Sequence, residues 1–328
     1  MRRREFIAGL GTAAVSSPVW PFVARAQQPP PVIGFLHPGS IEPNRELLAA
    51  FYKGLADTGF VEGRNLNINY RWAEGRNDRL PAMAADLVRR PVNVIVTGST
   101  PAALAAKAAT ATLPIVFQVG TDPVELGLVA SLNRPGGNLT GVAELNTQVA
   151  AKCLEAIHEL VPAATLVGLL TNPANPANKT IVREAEIAAR ILGVDLSILN
   201  AGSQGEVETA FATLLRQRAG ALVVSADPYF SGHRDELAAL AADHRLPAIF
   251  FDRVHVAAGG LMSYGTSLRD SLRQVGVFTG RILKGDRPAE LPVQQATKIE
   301  LVLNMKTAKA LGLAFPTALL VRADEVIE

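Results

Sequence analysis

With 32 basic and 30 acidic side chains spread over 328 residues, the chain carries a formal charge of only +2 and no basic stripe, which argues against a nucleic-acid partner. Its one cysteine, Cys153, excludes an intrachain disulfide and a cysteine-based zinc site. A chain of this length buries a large core and suits two lobes better than one.

In chain order, the first feature is an export signal. Arg2-Arg3-Arg4-Glu5-Phe6-Ile7 is a basic leader, residues 7–23 are a mostly apolar run, and Ala24-Arg25-Ala26 is a small-residue cleavage site. The order Arg3-Arg4, one residue, Phe6-Ile7 resembles the twin-arginine subtype. Gly9, Gly11, Pro18 and Pro21 interrupt the run, which is short for a membrane span. Residues 1–26 are therefore read as a twin-arginine signal peptide, cleaved after Ala26 to leave a soluble periplasmic product. The segment holds Arg2, Arg3, Arg4 and Arg25 against Glu5, so the positive balance of the chain belongs to it. No cysteine follows it to carry a lipid, and no later apolar run approaches a membrane span.

The remainder alternates short apolar runs with helical periodicity. Strand 32–36 precedes helix 44–58, strand 66–71 precedes helix 79–90, strand 92–96 precedes helix 101–109, and strand 114–119 precedes helix 124–132. Residues 149–160 read as an amphipathic helix with Cys153 on its buried face. Strand 166–170 then leads to helix 179–192, strand 195–199 to helix 205–218, strand 221–225 to helix 234–244, and strand 248–251 to a short turn or helix. This alternation predicts an α/β fold of two doubly wound parallel-sheet lobes. The turn-rich run Arg134-Pro135-Gly136-Gly137-Asn138-Leu139-Thr140-Gly141 is expected to carry the chain into lobe two. Gly259-Gly260-Leu261-Met262-Ser263-Tyr264-Gly265 reads as the return, with helix 268–283 added to lobe one and a third crossing near residues 285–295. Lobe one would span residues 31–140 plus about 265–288, and lobe two 141–263 plus about 291–328. Three crossings suit a hinge.

The strand ends carry the candidate site. His37-Pro38, Thr100-Pro101, Asp122-Pro123, Asn172-Pro173 and Asp227-Pro228 each place a polar residue before Pro where a helix can begin. Taken singly they are well-made strand-to-helix turns. In a parallel sheet such loops share the carboxyl edge, where ligands bind, and two facing lobes would line one cleft with them. Helix N-termini there, with Gly98-Ser99-Thr100 and Gly120-Thr121, suit a carboxylate in lobe one. Asp227 with Asn172 and Asn175 suits an ammonium in lobe two. Tyr229, Phe250, Phe251 and Tyr264 lie near the same edge, each as suited to a core as to a ligand. Phe250 and Phe251 alternate along one strand, so at most one faces the cleft. The candidate ligand-binding set is His37, Gly98, Ser99, Thr100, Thr121, Asp122, Asn172, Asn175, Asp227, Tyr229 and Tyr264. No phosphate loop, dinucleotide fingerprint, G-x-S-x-G elbow or paired-histidine metal motif occurs, so no catalytic residue, metal or cofactor is expected. A hydrolytic triad of Asp227 and His233 with Ser225 or Ser231 has no supporting spacing. Asp252-Arg253 reads as a structural ion pair or hinge contact.

Seven segments together resemble one family: Arg79-Leu80-Pro81-Ala82-Met83-Ala84-Ala85-Asp86-Leu87-Val88, residues 100–107, Leu113-Pro114-Ile115-Val116-Phe117, residues 127–138, 259–265, 306–313 and 322–327. The chain is similar along its whole length after the signal to the ABC-transporter substrate-binding proteins whose characterised relatives bind tryptophan and other aromatic amino acids. The resemblance implies a type I periplasmic binding protein that delivers a small carboxylate-bearing solute, such as an aromatic or other amino acid, to an ABC permease served by a separate cytoplasmic ATPase. It implies a monomer that contacts the membrane only through that permease. In amino-acid binders of this architecture lobe one holds the carboxylate and an acidic residue of lobe two meets the amine; Ser99, Thr100, Thr121 and Asp227 stand at suitable positions, with Asp122 an alternative acid. A ligand sensor feeding a membrane receptor and an exported α/β hydrolase are the other readings.

Overall fold

Local sequence chemistry places the elements. The computed structural model describes residues 29–144 and 146–328, so the signal-peptide reading of residues 1–26 lies outside the described residues. The first lobe opens with β1 (Val32–His37), α1 (Arg45–Asp57), β2 (Asn67–Trp72), α2 (Leu80–Val88), β3 (Val94–Thr97), α3 (Thr100–Ala109), β4 (Ile115–Val119) and β5 (Leu139–Ala143). There follow α4 (Asn146–Leu160), β6 (Leu166–Thr171), α5 (Asn178–Leu192), β7 (Asp195–Asn200), α6 (Gln204–Gln217), β8 (Ala221–Val224), α7 (Pro228–Gly232), α8 (Arg234–Asp243), β9 (Ala248–Phe250), α9 (Arg253–Ala257) and β10 (Met262–Thr266). The chain ends in α10 (Leu268–Leu283), β11 (Gln294–Gln295), β12 (Ile299–Asn304), α11 (Met305–Leu311), α12 (Thr317–Arg322) and β13 (Glu325–Ile327).

The central strands are short β-branched runs such as Val94-Ile95-Val96-Thr97, buried along their whole length because helices cover both faces of their sheet. The first sheet is parallel throughout, in the order β11-β5-β4-β3-β1-β2. The second runs β13-β12-β10-β9-β8-β6-β7 and is parallel except where β12 returns against β10. One apolar cluster lies on each face of each sheet: α2 and α3 on one side of the first sheet, α1 and α10 on the other, α4 and α5 on one side of the second, α6 and α8 on the other. Helix α5 shows the pattern behind this. It buries Ile181, Ala185, Ala188 and Ala189, one stripe of a 3.6-residue period, and stops at Gly193, whose φ of 69° is the left-handed cap a glycine accepts without strain.

The chain passes between the sheets three times: after β5 into α4, from β10 into α10, and from β11 into β12. The first two passages fall a few residues beyond the glycine-rich clusters expected to form them, and the third just beyond the residues 285–295 expected for it. Residues 139–143, read as turn, are a fully buried strand held between β4 and β11, and residues 262–266 are an interior strand of the second sheet. Cross-strand pairing overrides the local turn signal at both places. The helix expected over residues 124–132 is replaced by tight turns around Gly127, with Gly127 N–H donating to the Val124 carbonyl and Leu128 N–H to that of Pro123. The left-handed φ of 66° at Gly127 breaks helical continuity.

Helices α1 and α10 meet through glycines. A Cβ built on Gly276 would stand 2.3 Å from the Phe51 carbonyl oxygen, and one on Gly54 would stand 1.9 Å from that of Arg273. Both obstacles are backbone, which moves only if the helices part. Gly276→Ala is expected to lower stability by about 1–3 kcal/mol, as overpacking does. Chemical denaturation checks this, and an unchanged midpoint would refute the helix contact as described.

Candidate ligand-binding cleft

The two sheets present their carboxyl edges to one another across a cleft of about 800 Å³, its open mouth included. His37 ends β1, Trp72 ends β2, Ser99 and Thr100 follow β3, Gln118 and Gly120 close β4, and Glu144 follows β5; Asn175, Asp227, Ser231 and Phe251 face them from the second lobe. The lobes touch around this space. Leu47 of α1 packs against apolar clusters of both lobes, and Arg234 Nη1 donates to the Pro43 carbonyl at 3.2 Å.

Lobe one offers neutral donors. His37 Nδ1 accepts the Gly39 N–H at 3.0 Å, so its proton sits on Nε2. Burial lowers the His37 pKa to about 4, and the ring is neutral near pH 7. The ring is held 5.0 Å from that of Trp72. A Cβ on Gly98 would stand 2.6 Å from His37 Cδ2, so only glycine lets this imidazole pack against the β3–α3 turn. Ser99 caps α3, its Oγ accepting from Ala102 N–H at 3.3 Å, and Thr100 Oγ1 accepts from Gly120 N–H at 3.2 Å. Each hydroxyl keeps its own O–H to give.

Lobe two offers a buried carboxyl group. Asp227 Oδ1 accepts from Tyr229 N–H at 2.8 Å as the cap of α7 and from Asn172 Nδ2 at 3.0 Å, while Oδ2 accepts from Asn175 Nδ2 at 2.8 Å. The two asparagines are aimed by their own turns: Asn172 Oδ1 takes the Ala174 N–H and Asn175 Oδ1 the Ala177 N–H, which leaves both amide nitrogens for the carboxylate. Burial raises the Asp227 pKa, and the hydrogen bonds from Asn172, Asn175 and Tyr229 oppose that rise. None of these partners is a cation, and among the described residues the cleft lining contains no lysine or arginine.

Of the sequence-derived candidates, the cleft brings together His37, Gly98, Ser99, Thr100, Asn175 and Asp227. Asn172 stands behind Asp227 rather than in the lining. Thr121 is buried outside the lining with its hydroxyl unpaired, and Asp122 turns back to accept its own Val124 N–H at 2.7 Å. Tyr229 stacks on His233 at 4.1 Å, and Tyr264 packs into the α4–α5 side of the second sheet with its carbonyl accepting from Cys153 Sγ. These four do not line the cleft. Phe251 does, while Phe250 is buried in the α6–α8 cluster, as strand alternation requires. Arg253 pairs with Glu325 at 2.7 Å instead of Asp252. His233 Nδ1 meets the Tyr229 carbonyl at 2.8 Å, and among the described residues no hydrogen bond joins it to Asp227 or to a serine. No group of three or more metal-ligating side chains able to hold an ion occurs among the described residues. The lining residues that sequence reasoning missed include Trp72, Gln118 and Glu144. Each lies at a strand end, but none precedes the proline that marked the others.

Comparison with known proteins agrees with this architecture. Residues 39–327 match the family described as ABC transporter substrate binding protein. The chain is 28% identical over 263 residues to a tyrosine-binding protein of Clostridioides difficile (strain R20291), covering 80% of this chain and 75% of that one. It superposes with a TM-score of 0.83 and 27% identity on an ABC domain from Streptococcus pneumonia solved in complex with L-Trp, over 91% of this chain and 100% of that one. A conserved domain protein from Vibrio cholerae matches equally, at TM-score 0.83 and 26% identity, over 90% of this chain and 99% of that one.

Proposed function

The chain belongs to the ABC transporter substrate-binding protein family, whose members bind small molecules for an ABC permease, and from that premise we propose that it captures a zwitterionic amino acid in the cleft. The observation that carries this reading is Asp227: a buried carboxylate cradled by two amides with no cation, set across the cleft from the neutral donors of His37, Ser99 and Thr100. Burial disfavours the ionised form of this carboxyl group, and a ligand ammonium would supply the counter-charge that favours it. The ligand carboxylate would take the lobe-one hydroxyls, the His37 Nε2–H and the N-terminal end of α3. Phe35, Trp72 and Phe251 in the lining suit an aromatic body, as do the tyrosine and L-Trp named for the relatives.

Capture would proceed by closure. The lobes, residues 31–140 plus about 265–288 and 141–263 plus about 291–328, would swing about the three passages, and a ligand touching both would favour the closed form. The protein would act as a periplasmic monomer after cleavage at Ala26, deliver its cargo to a permease driven by a separate cytoplasmic ATPase, and perform no catalysis. No helix among the described residues is long and apolar enough to cross a membrane. Thermal unfolding with a panel of amino acids tests the reading. A ligand at a hundred times its Kd should add about 2.7 kcal/mol of stability. If only amine-free acids protect the protein, the zwitterion reading falls.

A further inference from the structure

The cleft has a second polar station that the amine and carboxylate subsites do not use. Gln118 and Glu144 both line it, and both are buried. Gln118 Nε2 donates to Glu144 Oε1 at 2.7 Å. The cleft around them is also lined by the apolar side chains of Phe251, Leu268 and Leu272. Placing an amide and a carboxyl group there is unfavourable unless they are paired or meet a ligand. Glu144 holds one amide hydrogen of Gln118, which orients the amide and leaves Oε1 as its acceptor.

Sheet order sets the spacing. Going from β3 to β4 to β5 along the first sheet moves from Ser99 to Gln118 to Glu144. Neighbouring strands lie about 4.8 Å apart, so across the sheet the backbone of Gln118 stands about 5 Å and that of Glu144 about 10 Å from β3, and the Gln118 side chain extends the station into the cleft beyond the carboxylate subsite.

We propose that Gln118, oriented by Glu144, accepts a hydrogen bond from the far end of the ligand side chain, so that the cleft selects aromatic amino acids ending in O–H or N–H over those ending in hydrocarbon. This rests on the amino-acid reading of the cleft. Gln118 is the contact; Glu144 is a positioning residue. A site built around such a bond penalises a ligand that lacks the donor, because the buried acceptor then goes unpaired.

Isothermal titration of the full protein with L-Tyr, L-Trp and L-Phe tests this. Wild type is expected to bind at least one of L-Tyr and L-Trp about 100-fold more tightly than L-Phe. Gln118→Met, close in length and shape, should remove most of that preference by weakening the donor-bearing ligand about 30-fold or more while changing L-Phe less than about threefold. Glu144→Gln keeps an acceptor for the Gln118 amide and should keep the preference, whereas Glu144→Leu should lose it. The proposal is overturned if wild type binds L-Phe as tightly as the other two, or if Gln118→Met weakens all three alike. If wild type binds none of the three, the aromatic amino-acid reading falls and takes this one with it, an outcome separate from the other two.

Discussion

Asp227→Ala is expected to weaken amino-acid binding by about 100- to 4000-fold. In the closed cleft the ligand ammonium and Asp227 would form a buried ion pair, and removing one member of such a pair costs about 3–5 kcal/mol because the other is left desolvated and unpaired. Each 1.4 kcal/mol is about a factor of ten in Kd. The same substitution has a mixed effect on the empty protein. It deletes the cap of α7, which is worth about 1 kcal/mol, and frees two asparagine amides, but it also removes a buried carboxylate whose ionisation burial opposes. The melting temperature should therefore change far less than the affinity. Titration calorimetry on the variant, with circular dichroism to confirm its fold, decides the matter. A loss of less than about tenfold would place the ammonium elsewhere in the cleft.

The second large effect concerns stability. Asp252 caps α9, yet its Oδ2 is buried without a hydrogen-bond partner. Burial raises its pKa to about 7, helped by Glu144 and Glu300 and opposed by the Val254 amide and Arg253. The folded chain thus holds a proton that the unfolded chain, with an ordinary carboxyl pKa near 3.8, releases. A group that binds its proton more tightly in the folded state lowers stability as pH rises, here from about 4 to about 7, with the full penalty above that window and none below it. The span corresponds to on the order of 4 kcal/mol as an upper bound. Asp252→Asn keeps a cap acceptor for Val254 and cannot ionise. It should raise the stability at pH 8 by about 1–3 kcal/mol and leave it nearly unchanged at pH 4. Melting curves across that range test the sign. Equal differences at both ends would mean that Asp252 does not titrate in the window.

How far the site could be read without coordinates depends on which residue is asked about. His37, Ser99, Thr100 and Asp227 were legible because a polar residue beside the start of a helix announces a strand end, and strand ends of parallel sheets gather at one edge. The same rule overreached at Asp122, whose carboxylate is satisfied by its own Val124 amide, a local alternative that the cap motif contains. Tyr264 lies within β10, where strand register sends its ring toward the α4–α5 cluster. Trp72, Gln118 and Glu144 gave no proline-marked signal, because each lies at or next to the end of its strand without entering a helix at the next residue.

What the chain determines by itself is local and periodic: the alternation of short buried strands with amphipathic helices, the caps, and hence a doubly wound two-lobed fold. Tertiary structure alone decided that residues 139–143 form a strand, and that Asp227 meets the amide of Asn172, 55 positions away. It also decided that Gln118 and Glu144 share the cleft with Asp227. The physical reason is the range of the forces involved. Backbone preference and capping act over a few residues, whereas the direction of a side chain and the groups it meets follow from strand register and from the closure of one lobe on the other.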